Sequence, residues 1–117
     1  MSLSKTELEA SLERIQSHKG VVGVIVLSSD GAAIRSTMDN STTLQYVNMC
    51  RTMSAMARST VRDIDPQDDL TILRIRTRKH EIMIAPERNR HGERELCLMV
   101  IQTDDNPQVA PVTSLLV

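Results

Sequence analysis

A chain of 117 residues, 40% hydrophobic and 25% charged, has the composition of one globular domain rather than a disordered tract. A net charge of −1 and a pI near 6.3 give no electrostatic footprint for nucleic acid, and a single aromatic residue, Tyr46, leaves almost nothing for unpaired bases to stack on. No apolar run approaches the ~18 residues of a membrane-spanning helix, and the opening "MSLSKTELEASLERIQ" is charged and periodic, unlike a secretory leader.

The first helix is expected over Ser4–Lys19. Ser4 and Glu7 have capping-box spacing, Leu8, Leu12 and Ile15 share one face, and His18 and Lys19 bring positive charge to the C-terminal end. Gly20 supplies the left-handed residue that closes such a helix. "VVGVIVL", Val21–Leu27, is apolar and rich in β-branched residues, which predicts a strand covered on both faces. Asp30-Gly31 signals a tight hairpin with both central residues at positive φ, so Ala32–Thr37 is the antiparallel return strand.

"MDNSTT" is crowded with helix-capping residue types, and the second helix is expected over Thr42–Arg62. Its apolar set is too wide for one stripe. Tyr46, Met49, Cys50, Met53 and Ala57 follow the i, i+3, i+4, i+7, i+11 rule, while Leu44, Val47 and Met56 widen the face. A helix apolar on more than one side has two neighbours, and in a small domain the second can be another subunit. Asp65-Pro66 breaks the helix. Leu70–Thr77 alternates, with Leu73 and Ile75 on one face and Arg74 and Arg76 on the other. Glu81–Ala85 is a further strand ended by Pro86, the run from Pro86 to Glu95 is a polar loop, and Leu96–Gln102 is the last strand. Residues 1–103 form the domain, and 104–117 an extended tail. The class is α+β, in the order helix-strand-strand-helix-strand-strand-strand.

Catalytic chemistry finds no footing in this pattern. His18, His80 and His91 have no ligand-spaced partners, so no metal site is expected. The carboxylates Asp63, Asp65, Asp68 and Asp69 lack the spacing and terminal glutamate of a calcium loop and read as a solvated turn. Four scattered glycines cannot cradle a phosphate, so no nucleotide cofactor is expected. Cys50 and Cys97, far apart in sequence, read as buried thiols of a reducing compartment rather than nucleophiles. Arg74, Arg76, Arg78 and Lys79 form a basic run diluted by Glu81, suited to a solvated face or to pairing between subunits.

Four segments, "RIQSHKGVVGVIV", "STMDNSTTLQY", "ARSTVRDIDPQDDLTILRIRTRKHEIMIAP" and "VIQ", closely resemble the roadblock family of dynein light chains, in order and over Glu13–Gln102. The resemblance implies a five-stranded antiparallel sheet with packed helices. It also implies a dimer, homo- or heterodimeric with a paralogue, in which the second helices pack together and the third strands pair. Its function would then be non-catalytic: binding a segment of the dynein intermediate chain in the cytoplasm, on the microtubule cytoskeleton. Distant relatives, scaffolds and regulators of small GTPases, supply the alternative. On this sequence the implied dimer and partner surface falls on Tyr46, Val47, Met49, Met53, Leu73 and Ile75, with Arg58 and Arg62 placed to orient a bound segment. The chain departs from the family in its long charged "ERNRHGERELCLM", in Leu96 and Cys97 where an aromatic is usual, and in its longer tail. These features bear on which partner it takes.

Overall fold

The computed structural model describes residues 5–28, 30–88 and 94–103. Two helices and five strands follow in the expected order: α1 (Lys5–Gln16), β1 (Val21–Ser28), β2 (Ala33–Ser36), α2 (Asn40–Ile64), β3 (Leu73–Arg76), β4 (His80–Arg88) and β5 (Arg94–Thr103). The strands form one antiparallel sheet in the order β2-β1-β5-β4-β3. The fold is therefore α+β, with β2 and β3 as the sheet's edges.

Strand alternation sorts the core into two layers. On one face Ile25, Leu27, Ile82, Ile84, Cys97, Met99 and Ile101 pack under Val47 and Cys50 of α2. On the other, Val24 and Val26 pack under Leu12 of α1, flanked by Leu8 and Ile15. β1 is thus buried on both sides, as an unbroken apolar run requires.

The boundaries differ from the sequence expectations for local reasons. α1 stops at Gln16, not Lys19. The Ser17 hydroxyl takes the Arg14 carbonyl, and the His18 amide reaches back three residues to Ile15, so the chain turns early. His18 and Lys19 therefore lie beyond the helix, and Arg14 is the basic residue of its last turn. Ser4, the expected cap, lies outside the described residues. The β1–β2 connection is also wider than a two-residue turn. The Ser28 amide donates to the Ala32 carbonyl at 2.8 Å, and Gly31 takes φ +90° while no described non-glycine residue has positive φ. Asp30 instead accepts from the Ser28 hydroxyl and the Ala32 amide, which together hold its carboxyl below the usual range.

α2 is longer than expected at both ends. Asp39 is the cap, its Oδ1 accepting from the Thr42 amide at 2.7 Å, and Asp65 ends the helix before Pro66. β3 is shorter. The Asp65, Asp68 and Asp69 carboxylates take the amides of Gln67, Asp69 and Leu70, diverting that backbone from strand pairing until Leu73. β4 runs through Pro86 rather than stopping there. Among the described residues β3 pairs only as far as Ile84, so Pro86 is paired with β5 on one side and with no strand on the other, where a missing amide donor costs little. The expected polar loop from Pro86 to Glu95 is consequently narrowed by the ends of β4 and β5. Its centre, 89–93, and the tail, 104–117, lie outside the described residues.

Candidate interaction surface

α2 carries three different surfaces. Thr43, Val47, Cys50 and Ser54, spaced i, i+4, i+7, i+11, are its buried residues and face the sheet. The two polar members are satisfied there: Thr43 Oγ1 lies 2.6 Å from Ser36 Oγ, and Ser54 Oγ lies 3.8 Å from Cys50 Sγ. Along one flank run Tyr46, Met49, Met53 and Met56, spaced i, i+3, i+7, i+10. Tyr46 and Met49 pack partly against the same core as Leu73 and Ile75 of β3, whereas Met53 is 37% and Met56 61% exposed. Leu44, 61% exposed, lies on the opposite flank at 100° per residue.

The helix outruns its own core. Its 25 residues span about 37 Å at the α-helical rise. The last buried position is Ser54, yet the helix continues to Ile64, which is 84% exposed. The last turns after Ser54 half-bury Ala57, Arg58 and Val61 but leave Met56 and Ile64 exposed, so this part of the helix has little apolar burial of its own. A second uncovered feature is the edge strand β3, whose backbone pairs, among the described residues, with β4 alone. A helix overhang that exposes Met56 and Ile64, and a strand edge open among the described residues, are both features that a partner would cover.

Charges frame this surface. Arg58 Nε donates to Asp69 Oδ1 at 3.0 Å, tying the overhang of α2 to the segment that enters β3. Arg58 is thus engaged within its own chain rather than held out to a bound segment, while Arg62 is exposed in the last turn. On β3, Arg74 Nε donates to Glu81 Oε1 of β4 at 2.8 Å, so one arginine of the basic run is paired inside the sheet. Leu73 and Ile75 point to the core side and are half-buried, while Arg74 and Arg76 are exposed on the other face.

Of the six positions singled out from sequence, Tyr46, Met49, Leu73 and Ile75 pack partly against one core cluster, and Met53, more exposed, follows Tyr46 and Met49 along the same flank of α2. Val47 is the exception: it is buried against the sheet and does not belong to the outer surface. Met56 and Ile64 do belong to it, and the signal for Met56 was its continuation of the Tyr46–Met49–Met53 spacing. Among the described residues, no group of three or more histidine, cysteine or acidic side chains is placed to hold a metal, and no helix is long and apolar enough to cross a membrane.

Comparison with known proteins agrees with this architecture. The Roadblock/LC7 domain family model matches residues 7–102. A solved structure, the Roadblock/LC7 domain from Streptomyces avermitilis, superposes with a TM-score of 0.66 at 13% identity, covering 82% of this chain and 75% of that one. At that identity the likeness speaks for the fold. Roadblock domains commonly dimerise and form complexes, and their family is generally one of non-enzymatic scaffolds and regulators. With most of its length matched and the same sheet-and-helix arrangement, the chain belongs to the Roadblock/LC7 domain family.

Proposed function

We propose that this chain is a non-catalytic accessory light chain of the dynein motor complex. It dimerises, with itself or with a paralogue, and holds a segment of the intermediate chain, supporting assembly and cargo attachment on microtubules in the cytoplasm. The observations that carry this reading are the overhang of α2 past Ser54 and the edge of β3 that is open among the described residues. Two-fold pairing would cover both features at once. It would also set two α2 helices side by side, lined by Met49, Met53 and Met56, whose flexible thioethers adapt to the knobs of a docked amphipathic helix. The motor assignment rests on the four resembling segments quoted above, among them "ARSTVRDIDPQDDLTILRIRTRKHEIMIAP". The solved neighbour is bacterial, so the fold by itself does not select a motor over a small-GTPase scaffold.

Affinity capture from cell extract, read by mass spectrometry, separates the two. The motor reading predicts intermediate chain with the wild-type bait and its loss with Met53→Asp, because the charge would be desolvated without a partner. Recovery of a small GTPase in place of intermediate chain would establish the scaffold reading.

A further inference from the structure

We propose that Cys50 and Cys97 form an oxidisable dithiol, a modification site that closes into a disulfide joining α2 to β5. Their sulfurs lie 3.9 Å apart although the residues are 47 positions apart in sequence. Cys50 sits on the inner face of α2. Cys97 sits on the α2 face of β5, in register with Leu27 of β1 and Pro86 of β4. Both elements are anchored in the core, so the encounter of the two thiols is built into the packing and does not depend on a mobile loop. A disulfide needs the sulfurs at about 2.05 Å, so closure brings them about 2 Å closer.

Two further features distinguish this pair from inert core thiols. Both cysteines line one small pocket. Its other lining residues are Leu27 and Ser28 at the end of β1, Gly31 of the β1–β2 connection, and Arg51 and Ser54 of α2, so polar side chains stand beside the two thiols in a space of the size a small polar oxidant needs. The Ser54 hydroxyl, 3.8 Å from Cys50 Sγ, also offers a polar neighbour to the sulfur.

Hydrogen peroxide represents the class of oxidant that such a pocket admits. One thiolate displaces hydroxide from the peroxide and becomes a sulfenic acid, having lost its proton to solvent. The second thiol attacks that sulfur, the S–O bond breaks, and water leaves. In sum, two thiols and one peroxide give one disulfide and two waters, with two electrons passing from sulfur to oxygen. The bond would staple α2 to the sheet beside Ser54, where the helix leaves its core. The dithiol therefore sits at the root of the surface proposed to bind a partner, although the chemistry itself does not depend on that proposal.

The test is intact-mass spectrometry and a non-reducing gel on the purified full chain after brief exposure to a low excess of hydrogen peroxide. The expected result is the loss of two hydrogens, migration as a single chain, and a thermal midpoint that rises and returns on addition of dithiothreitol. Dimedone should trap a sulfenic acid in Cys50→Ser and in Cys97→Ser, where the resolving thiol is gone, and not in the wild type. A wild type that stays reduced, that couples between chains, or that accumulates dimedone adduct as the variants do would overturn the proposal.

Discussion

Arg58 and Asp69, on different elements of the chain, are joined by a 3.0 Å ion-paired hydrogen bond, and the same Asp69 oxygen accepts the Leu70 amide at 2.8 Å. One carboxylate therefore braces the overhang of α2 and organises the entry to β3. Both side chains are more than a third exposed, so solvent screening limits the arginine's share to at most about 1 kcal/mol. Asp69→Ala removes the arginine's partner and the amide's acceptor together, and is expected to destabilise more than Arg58→Ala, by about 1–2 kcal/mol. Urea midpoints measure the difference. Equal losses would mean that the carboxylate acts only through Arg58.

Asp39 caps α2 through the Thr42 amide, and that hydrogen bond is the main cause of its lowered pKa. A depressed carboxyl stabilises the fold in full above its unfolded value near 3.8, and this contribution is lost as pH falls through the lower folded value. Asp39→Ala should therefore lower the thermal midpoint at pH 7, and the gap to wild type should narrow as pH falls below 3.8. Asp39→Asn, which keeps a capping oxygen, should retain most of the midpoint and show less pH dependence. A gap that persisted unchanged in acid would assign the loss to helix propensity rather than to the charged cap.

Val47 and Leu44 sit on one helix, but only Val47 is buried. Val47→Ala removes two methyl equivalents from the α2–sheet core and is expected to cost about 2 kcal/mol. Leu44→Ala should change stability by about 0.5 kcal/mol or less, as surface substitutions do. The comparison is read from denaturant unfolding monitored by helical circular dichroism. A large loss at Leu44 would show that this flank, too, is covered by something.

The edge at β3 makes a separate prediction. Ile75→Pro removes a backbone donor and its strand geometry, and is expected to abolish dimerisation, with some loss of fold stability. Met56→Asp lies on the overhang, away from the monomer's core, and should weaken dimerisation while leaving the monomer folded. Light scattering combined with circular dichroism distinguishes these effects. A wild-type mass of 13.1 kDa under native conditions would remove the dimer from the account altogether.

Much of this architecture is legible in the residues because periodicity reports burial directly. The unbroken Val21–Leu27 run and the alternation of Leu73 and Ile75 with Arg74 and Arg76 reappear as strands with those burial patterns. What the sequence hides are relations between elements. Thr43 and Ser54 are polar by type, yet they turn out to line the inner face of α2 because Ser36 and Cys50 satisfy them. Pro86 reads as a stop, but the shortness of β3 leaves it, among the described residues, with no strand on one side. The overhang beyond Ser54 and the meeting of Cys50 with Cys97 both depend on where α2 lies across the sheet, a distance that no local pattern encodes.

The central claim is that the surface around α2 and β3 receives a segment of the dynein intermediate chain. It is tested most directly by calorimetric titration of that segment, recombinantly produced, into the purified full chain at several temperatures. The account predicts saturable binding with a negative heat-capacity change, the mark of apolar burial, and weaker binding to Met53→Asp. An intact wild-type dimer that takes up no intermediate chain, or one whose affinity is untouched by Met53→Asp and Met56→Asp, would contradict it.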